Sequence, residues 1–299
     1  MRYVKNTRKN IEIEFASVEE IMASAQYRED MRNPKAGTKN ATMRDIKYSQ
    51  RRDTFPNVDA PSKYAGILSD EDLDNALTSP PQWLIDGGNR CLDEIEASIA
   101  PRIDAPGKRR RRIGVEDGDT INVDRFLTRD PEPWERMERK RHTSPIVIIT
   151  CDMGTNWKMQ KHTLLWRGAA AVASAMAVER MGGRCEIWGV KSVTDPGKGV
   201  NRLTTRVLVK RADESTSMSR TLTALGHVGF YRYVTLQACN TSLPVPACGS
   251  YGAPTNVPRA TLNDLQSDIH ISRDATTPAR AIEVANQAIT NFEGRFANV

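Results

Sequence analysis

Long apolar runs are missing from this chain. Across its 299 residues the most apolar stretch, Ile146-Val147-Ile148-Ile149-Thr150, falls far short of the roughly 20 residues that a membrane-spanning helix needs, so no membrane span is expected. Paired cysteine spacing is missing too. The five cysteines, Cys91, Cys151, Cys185, Cys239 and Cys248, are odd in number and form no metal-ligand pattern, which predicts reduced, mostly buried thiols. Met1 to Asn10 is polar and basic with no apolar stretch behind it, so no signal peptide is read and a cytoplasmic protein is expected.

Catalytic patterns are equally scarce. His142, His162, His227 and His270 stand in no nucleophile-base arrangement with Cys151 or any serine. Gly197-Lys198-Gly199 lacks the Gly-x-x-x-x-Gly-Lys-Ser/Thr spacing, and the helix directly after it, of a phosphate loop. The carboxylate pairs in Glu116-Asp117 and Asp70-Glu71-Asp72 lie in acidic surface runs with nothing to push their pKa values apart. The expectation is a protein that is not an enzyme and needs no cofactor.

What is present is a strand, a polar turn, a helix and a second strand between residues 146 and 190. Ile146 to Thr150 has the length and β-branched content of a strand buried on both faces. Asp152-Met153-Gly154-Thr155-Asn156 forms the turn. A helix from about Lys158 to Met181 sets Leu165, Ala169, Val172 and Met176 on one stripe beside Trp166, Ala170, Ala173 and Ala177. Gly182-Gly183 supplies its left-handed cap. Cys185 to Val190 is the second strand, with Trp188 read as core. This order predicts an α/β domain with its ligand face at the turn.

Around this centre, Ile11 to Phe15 reads as a strand and Ser17 with Glu20 as the capping box of a short helix ending near Tyr27. Residues 28–63 read as a polar excursion, and Trp83 to Ile99 as the second of two helices. Thr120 to Val123 reads as an approach segment over the sheet edge. Thr194 to Gly199 reads as a loop before a half-exposed strand, Leu203 to Lys210, the hairpin partner of the strand before it. Ser215 is expected to cap a helix through Leu225, and Tyr231 to Tyr233 lie on a second helix or a strand. The organisation read from this is an extension at 1–115, an α/β core at 116–243, and a linker with a helix, Thr277 to Phe292, at 244–299.

The turn at Asp152 invites a metal, because an adhesion-type site uses Asp-x-Ser-x-Ser to offer hard oxygen ligands to magnesium. Here Gly154 removes one hydroxyl and Asn156 is a partial substitute, so Asp152 is expected to bond to nearby turn amides and no metal is expected.

Charge points elsewhere. The formal net charge is +6, and the cations bunch at Lys108-Arg109-Arg110-Arg111-Arg112, at Arg136 with Arg139-Lys140-Arg141, and at Lys210-Arg211. Aromatics interleave with cations at Trp157 with Lys158 and Lys161, at Tyr231 and Tyr233 around Arg232, and at Tyr48 and Phe55 among Arg44, Lys47, Arg51 and Arg52. Arg167 follows the Asp152 turn, and Lys198 and Arg202 flank Gly199. Aromatic faces stack on unpaired bases while cations follow the backbone, a pattern suited to single strands with little sequence preference. The plainer reading is of solvated faces and core aromatics.

Three stretches carry a family likeness: Phe15-Ala16-Ser17-Val18-Glu19-Glu20, Gly118-Asp119-Thr120-Ile121-Asn122-Val123-Asp124-Arg125-Phe126-Leu127, and Trp166-Arg167-Gly168-Ala169-Ala170 leading to Gly182-Gly183-Arg184-Cys185-Glu186-Ile187. Over about residues 11–240 the chain resembles phage and bacterial proteins of von Willebrand A-like, Rossmann-type fold, a sheet flanked by helices, here with irregular N-terminal and C-terminal extensions. One branch is similar to the single-stranded-DNA-binding cofactors that recruit phage RNA polymerase in podoviruses with a giant virion polymerase. That likeness implies a non-enzymatic protein of the infected host cytoplasm that coats single-stranded DNA, contacts a phage RNA polymerase and forms a homo-oligomer. The alternative is a protein-interaction adaptor without nucleic-acid binding. The shared motifs mark the scaffold, so no DNA-contacting residue is carried over from them.

Overall fold

A computed structural model describes residues 2–6, 10–30, 80–103, 112–115, 120–129, 131, 133–137, 146–154, 161–197, 200–227, 230–235, 238 and 253–296. Its strands are β1 (Arg2–Asn6), β2 (Asn10–Phe15), β3 (Arg112–Val115), β4 (Thr120–Ile121), β5 (Trp134–Met137), β6 (Ile146–Asp152), β7 (Arg184–Gly197), β8 (Val200–Lys210), β9 (Ala253–Thr255) and β10 (Ile269–Ile271). Its α-helices are α1 (Val18–Asp30), α2 (Gln82–Ile103), α3 (Val123–Leu127), α4 (Leu165–Arg180), α5 (Met218–Gly226), α6 (Arg259–Asp264) and α7 (Pro278–Phe296).

The architecture is α/β, with a mixed open sheet flanked by helices. Six strands follow one path, β1-β2-β8-β7-β6-β10, and β9 pairs with β7 off that path. β6 runs parallel to both β7 and β10, while β8 turns back antiparallel along β7. The apolar run behaves as its composition requires: Val147, Ile149 and Cys151 are all buried in the main core. On the other sheet face Trp188 and Val190 pack with Val257 and Leu265 in a smaller apolar cluster.

α4 is the centre of the helical layer, in contact with α2, α5 and α7. Its alanines set the spacing. Ala169, Ala170, Ala171, Ala173, Ala175 and Ala177 are all buried, because a helix with so little side-chain bulk can touch the sheet and three helices at once. The closest approach is at Gly168, where an added Cβ would stand 3.1 Å from the Gly226 backbone nitrogen. Gly168→Val should therefore lower stability by roughly 1–3 kcal/mol through overpacking, read as a drop in urea midpoint. At the other end Gly182 has φ +88°, the Gly182 amide bonds to the Glu179 carbonyl at 3.0 Å, and the Gly183 amide bonds to the Val178 carbonyl at 2.9 Å. This is the expected glycine stop.

The capping box at α1 also forms. The Glu20 amide donates to Ser17 Oγ at 3.1 Å, and the Glu20 carboxylate takes the Ala16 amide at 2.6 Å. Cys91, Cys151 and Cys185 are free and buried. Burial pushes the Cys91 thiol up to about 11 and those of Cys151 and Cys185 up to about 12, which leaves them inert as nucleophiles. Cys239 and Cys248 lie outside the described residues.

Several expectations are corrected. The stretch 244–275, read as a linker, contributes β9, α6 and β10 to the fold from residue 253 onward, and β10 is a full partner of β6. β7 and β8 extend to Gly197 and from Val200, through most of the expected loop. The cap of α5 is Ser217, whose side chain accepts from the Arg220 amide. The described part of the helix after the Asp152 turn opens as a 3-10 turn at Lys161 and becomes α-helical at Leu165, while its expected start near Lys158 lies outside the described residues. Of the two readings for Tyr231 to Tyr233 the helical one holds, as a π-helix over Phe230–Thr235. Thr120 and Ile121 form β4 of a separate sheet ordered β3-β5-β4. Residues 28–30 of the expected polar excursion continue α1 to Asp30; its remainder to residue 63 and the helix expected near Asp70 lie outside the described residues. Among the described residues no helix is long and apolar enough to cross a membrane.

Candidate functional site

β6 leads through α4 to β7 on one side, whereas β10 lies on its other side. Between the carboxyl ends of β6 and β10 the strand order reverses, which is where open α/β sheets hold ligands. Asp152 ends β6 there and is 1% exposed. Its Oδ1 accepts from the Gly154 amide at 2.7 Å, so the carboxylate folds back on its own turn as the sequence suggested. Burial pushes the Asp152 carboxyl up to about 6; the Gly154 amide, Arg167 and Arg273 pull it back, and Asp274 adds to the rise.

Asp152 buried in this way has a consequence for stability. An acid whose pKa is higher in the folded state binds more protons folded than unfolded, so its contribution falls as pH rises from about 4 to 6 and is flat above that. The shift from 3.8 to about 6 corresponds to about 3 kcal/mol. Asp152→Asn can keep the Gly154 amide bond without the charge. It should raise the melting temperature at pH 7.5 and leave it nearly unchanged at pH 4; equal shifts at both would refute burial of the charge as the cause.

The same geometry bears on metal binding. A Cβ at position 154 would stand 2.8 Å from Asp152 Oδ1, so a serine there would collide with the carboxylate in its present orientation. Among the described residues no group of three or more His, Cys, Asp or Glu side chains could hold a metal ion.

Arg167 supports the turn from below. Its Nη1 donates to the Gly154 carbonyl at 2.8 Å and also to the Asp152 carbonyl. From the β10 side, Thr150 Oγ1 lies 2.7 Å from Ser267 Oγ and 3.0 Å from His270 Nδ1. Burial pushes the His270 imidazole below its ordinary value, while Asp274 draws it upward. Arg273 Nη1 donates to the Pro254 carbonyl at 2.8 Å, tying β9 to the segment after β10. The edge is thus a set of interlocked polar contacts.

The predicted contact residues that are described lie on different elements. Arg167 was expected to add charge near this edge, yet it is 1% exposed and its guanidinium serves backbone carbonyls. Buried in the turn, it is a structural cation. Arg202 is half-buried on β8 opposite Asn10 and Thr194. Lys161 opens the 3-10 turn, Arg112 opens β3, and Tyr231 and Arg232 lie on the π-helix. Lys108, Arg109, Arg110, Arg111, Trp157, Lys158 and Lys198 lie outside the described residues. His227 is buried with its ring 5.4 Å from that of Trp83.

His270, Arg273 and Asp274 were missed, because the preceding prolines and glycines made the whole stretch read as linker. The alternation Ile269-His270-Ile271 was the available signal, but three residues are too few to establish a period of two.

A family model described as a domain of unknown function (DUF7192) matches residues 3–286. No curated protein and no solved structure matches the chain.

Proposed function

The chain belongs to the DUF7192 family, and from that premise we propose that it is a non-enzymatic protein that binds single-stranded nucleic acid. The observation that carries this reading is the register of the small sheet. Arg112 pairs with Met137 and Ile113 with Arg136, so the entry of β3 and the exit of β5 are neighbours. In sequence the run Lys108 to Arg112 leads into that entry, and Arg139-Lys140-Arg141 follow that exit. Arg112 and Arg136 thereby stand at adjacent positions of one register although each belongs to a different cationic run in sequence, and cations gathered in this way favour a phosphate backbone.

The finer form of the proposal is a von Willebrand A-like protein of a phage that recruits RNA polymerase to single-stranded template in the infected cell. The order β8-β7-β6-β10, with β8 antiparallel and the other three parallel, supports a Rossmann-type scaffold of that kind. The adaptor alternative needs a metal-binding face at Asp152, and the carboxylate's fold-back on Gly154 argues against it.

The test is fluorescence anisotropy of a labelled single-stranded oligonucleotide against a duplex of equal length. Preference for the single strand that fades with salt supports the reading; absence of binding to either rejects it.

A further inference from the structure

The small sheet carries an aromatic side chain that serves no described core. Trp83 and Trp166 pack against the main core and Trp188 belongs to the smaller cluster, whereas Trp134 joins neither cluster of the described residues. It is half-buried, so part of its indole meets solvent. Tryptophan so placed is suited to contact, since its ring brings a large apolar face with a polar edge.

The register fixes where this indole stands. Trp134 lies on the central strand β5, opposite Val115 on β3 and Ile121 on β4. Residues directly opposite in an antiparallel pair share a face, and Ile121 is 38% exposed, so the face that carries Trp134 is open on that flank. The Asn122 amide continues the pairing with a bond to the Pro133 carbonyl at 2.8 Å. With its backbone paired on both sides and only two side-chain torsions, Trp134 has little conformational freedom to lose on contact.

A cationic position shares that face. Alternate residues of a strand point the same way, which groups Trp134 with Arg136, and Arg136 pairs with Ile113 across the register. Glu135, between them, falls on the opposite face with Gly114 and Thr120. An aromatic and a cationic position thus stand about 7 Å apart along one strand, and the intervening acidic position is on the other side.

We propose that Trp134 is the platform on which one unpaired base stacks while Arg136 meets the phosphate backbone beside it. The inference rests on the proposed function and adds what cations alone cannot supply. Cationic runs attract single strands and duplexes alike, because both carry phosphates. An aromatic face tells them apart: inside a duplex the faces of each base are covered by its neighbours, whereas an unpaired base can lie against an indole. Every base has such a face, so the contact selects strand state and not sequence. Trp134 is thereby the residue that sets preference for single strands.

The test compares the full chain with Trp134→Leu and Trp134→Phe on three labelled probes of equal length: an oligothymidine, a duplex, and a strand of abasic sugar-phosphate units. Anisotropy titrations give each affinity. Leucine keeps apolar bulk without an aromatic face, so Trp134→Leu should bind oligothymidine roughly 5- to 150-fold more weakly, the effect of one lost base stack. Its affinity for the duplex and the abasic strand should match wild type. Trp134→Phe should keep most of the oligothymidine affinity. An oligothymidine affinity unchanged in Trp134→Leu overturns the inference. A parallel loss on all three probes also overturns it, since the tryptophan would then hold the sheet that presents the cations. If wild type itself binds no probe, the proposed function has failed and the stacking role falls with it; if wild type binds and Trp134→Leu behaves in either contrary way, the stacking role alone falls.

Discussion

Arg167→Met is expected to lower folding stability by about 3–5 kcal/mol at pH 7.5, a large part of the roughly 5–15 kcal/mol that a domain has. The guanidinium is buried and donates to the carbonyls of Asp152 and Gly154. Methionine fills similar space but leaves both carbonyls without that donor, and each buried unsatisfied polar group costs about 1–3 kcal/mol. The rest of the loss is electrostatic. Arg167 is among the groups that draw the Asp152 carboxyl downward against the effect of burial, so its removal leaves a buried carboxylate less compensated.

This coupling makes the effect separable from packing. In the Asp152→Asn background Arg167→Met should cost measurably less, and the difference in a double-mutant cycle is the electrostatic share. Arg167→Lys should recover only part of the loss: both bonds leave the single nitrogen Nη1, and a lysine must bring its ammonium to that same point on a side chain of different length and geometry. Urea denaturation of the four combinations is the measurement. A wild-type midpoint for Arg167→Met would mean that the guanidinium does not hold the turn.

The second large effect is on binding. If each of the five consecutive cations from Lys108 to Arg112 meets one phosphate, the logarithm of affinity for a single strand should fall with the logarithm of salt with a slope of about −3.5. Between 50 and 200 mM salt that is a loss of about a hundredfold. Replacing Arg109, Arg110, Arg111 and Arg112 with alanine should make the slope shallower by about 3 and weaken binding at least several-fold at low salt. Anisotropy titrations at four salt concentrations measure both quantities, and an unchanged slope in the variant would remove this run from the interface.

The elements legible in the sequence share one property: the residues that specify them are close together in the chain. β6 was readable from its β-branched run, α4 from its apolar stripe and glycine stop, and α1 from Ser17 with Glu20 three positions later. The Asp152 bond to the Gly154 amide was readable for the same reason, since the acceptor and the donor are two residues apart. Errors of boundary followed where local signals competed, as with Ser215 and Ser217, either of which can cap a helix.

What tertiary structure decided depends on residues far apart. β10 exists because Ile269 to Ile271 meet the open edge of β6, and three residues with no partner carry too little periodicity to reveal it. Arg167 looked like surface charge because its neighbours in sequence are mixed, and only the packing of α4 under the Asp152 turn encloses it. The pairing of β3 with β5 likewise sets Arg112 and Arg136, which belong to separate clusters in sequence, at adjacent positions of one register. Local sequence determined the backbone's preferences and the caps, since those energies arise between residues one turn apart. Burial decided which charges serve the fold and which ends of strands meet, because the desolvation that fixes those choices exists only once distant segments have packed.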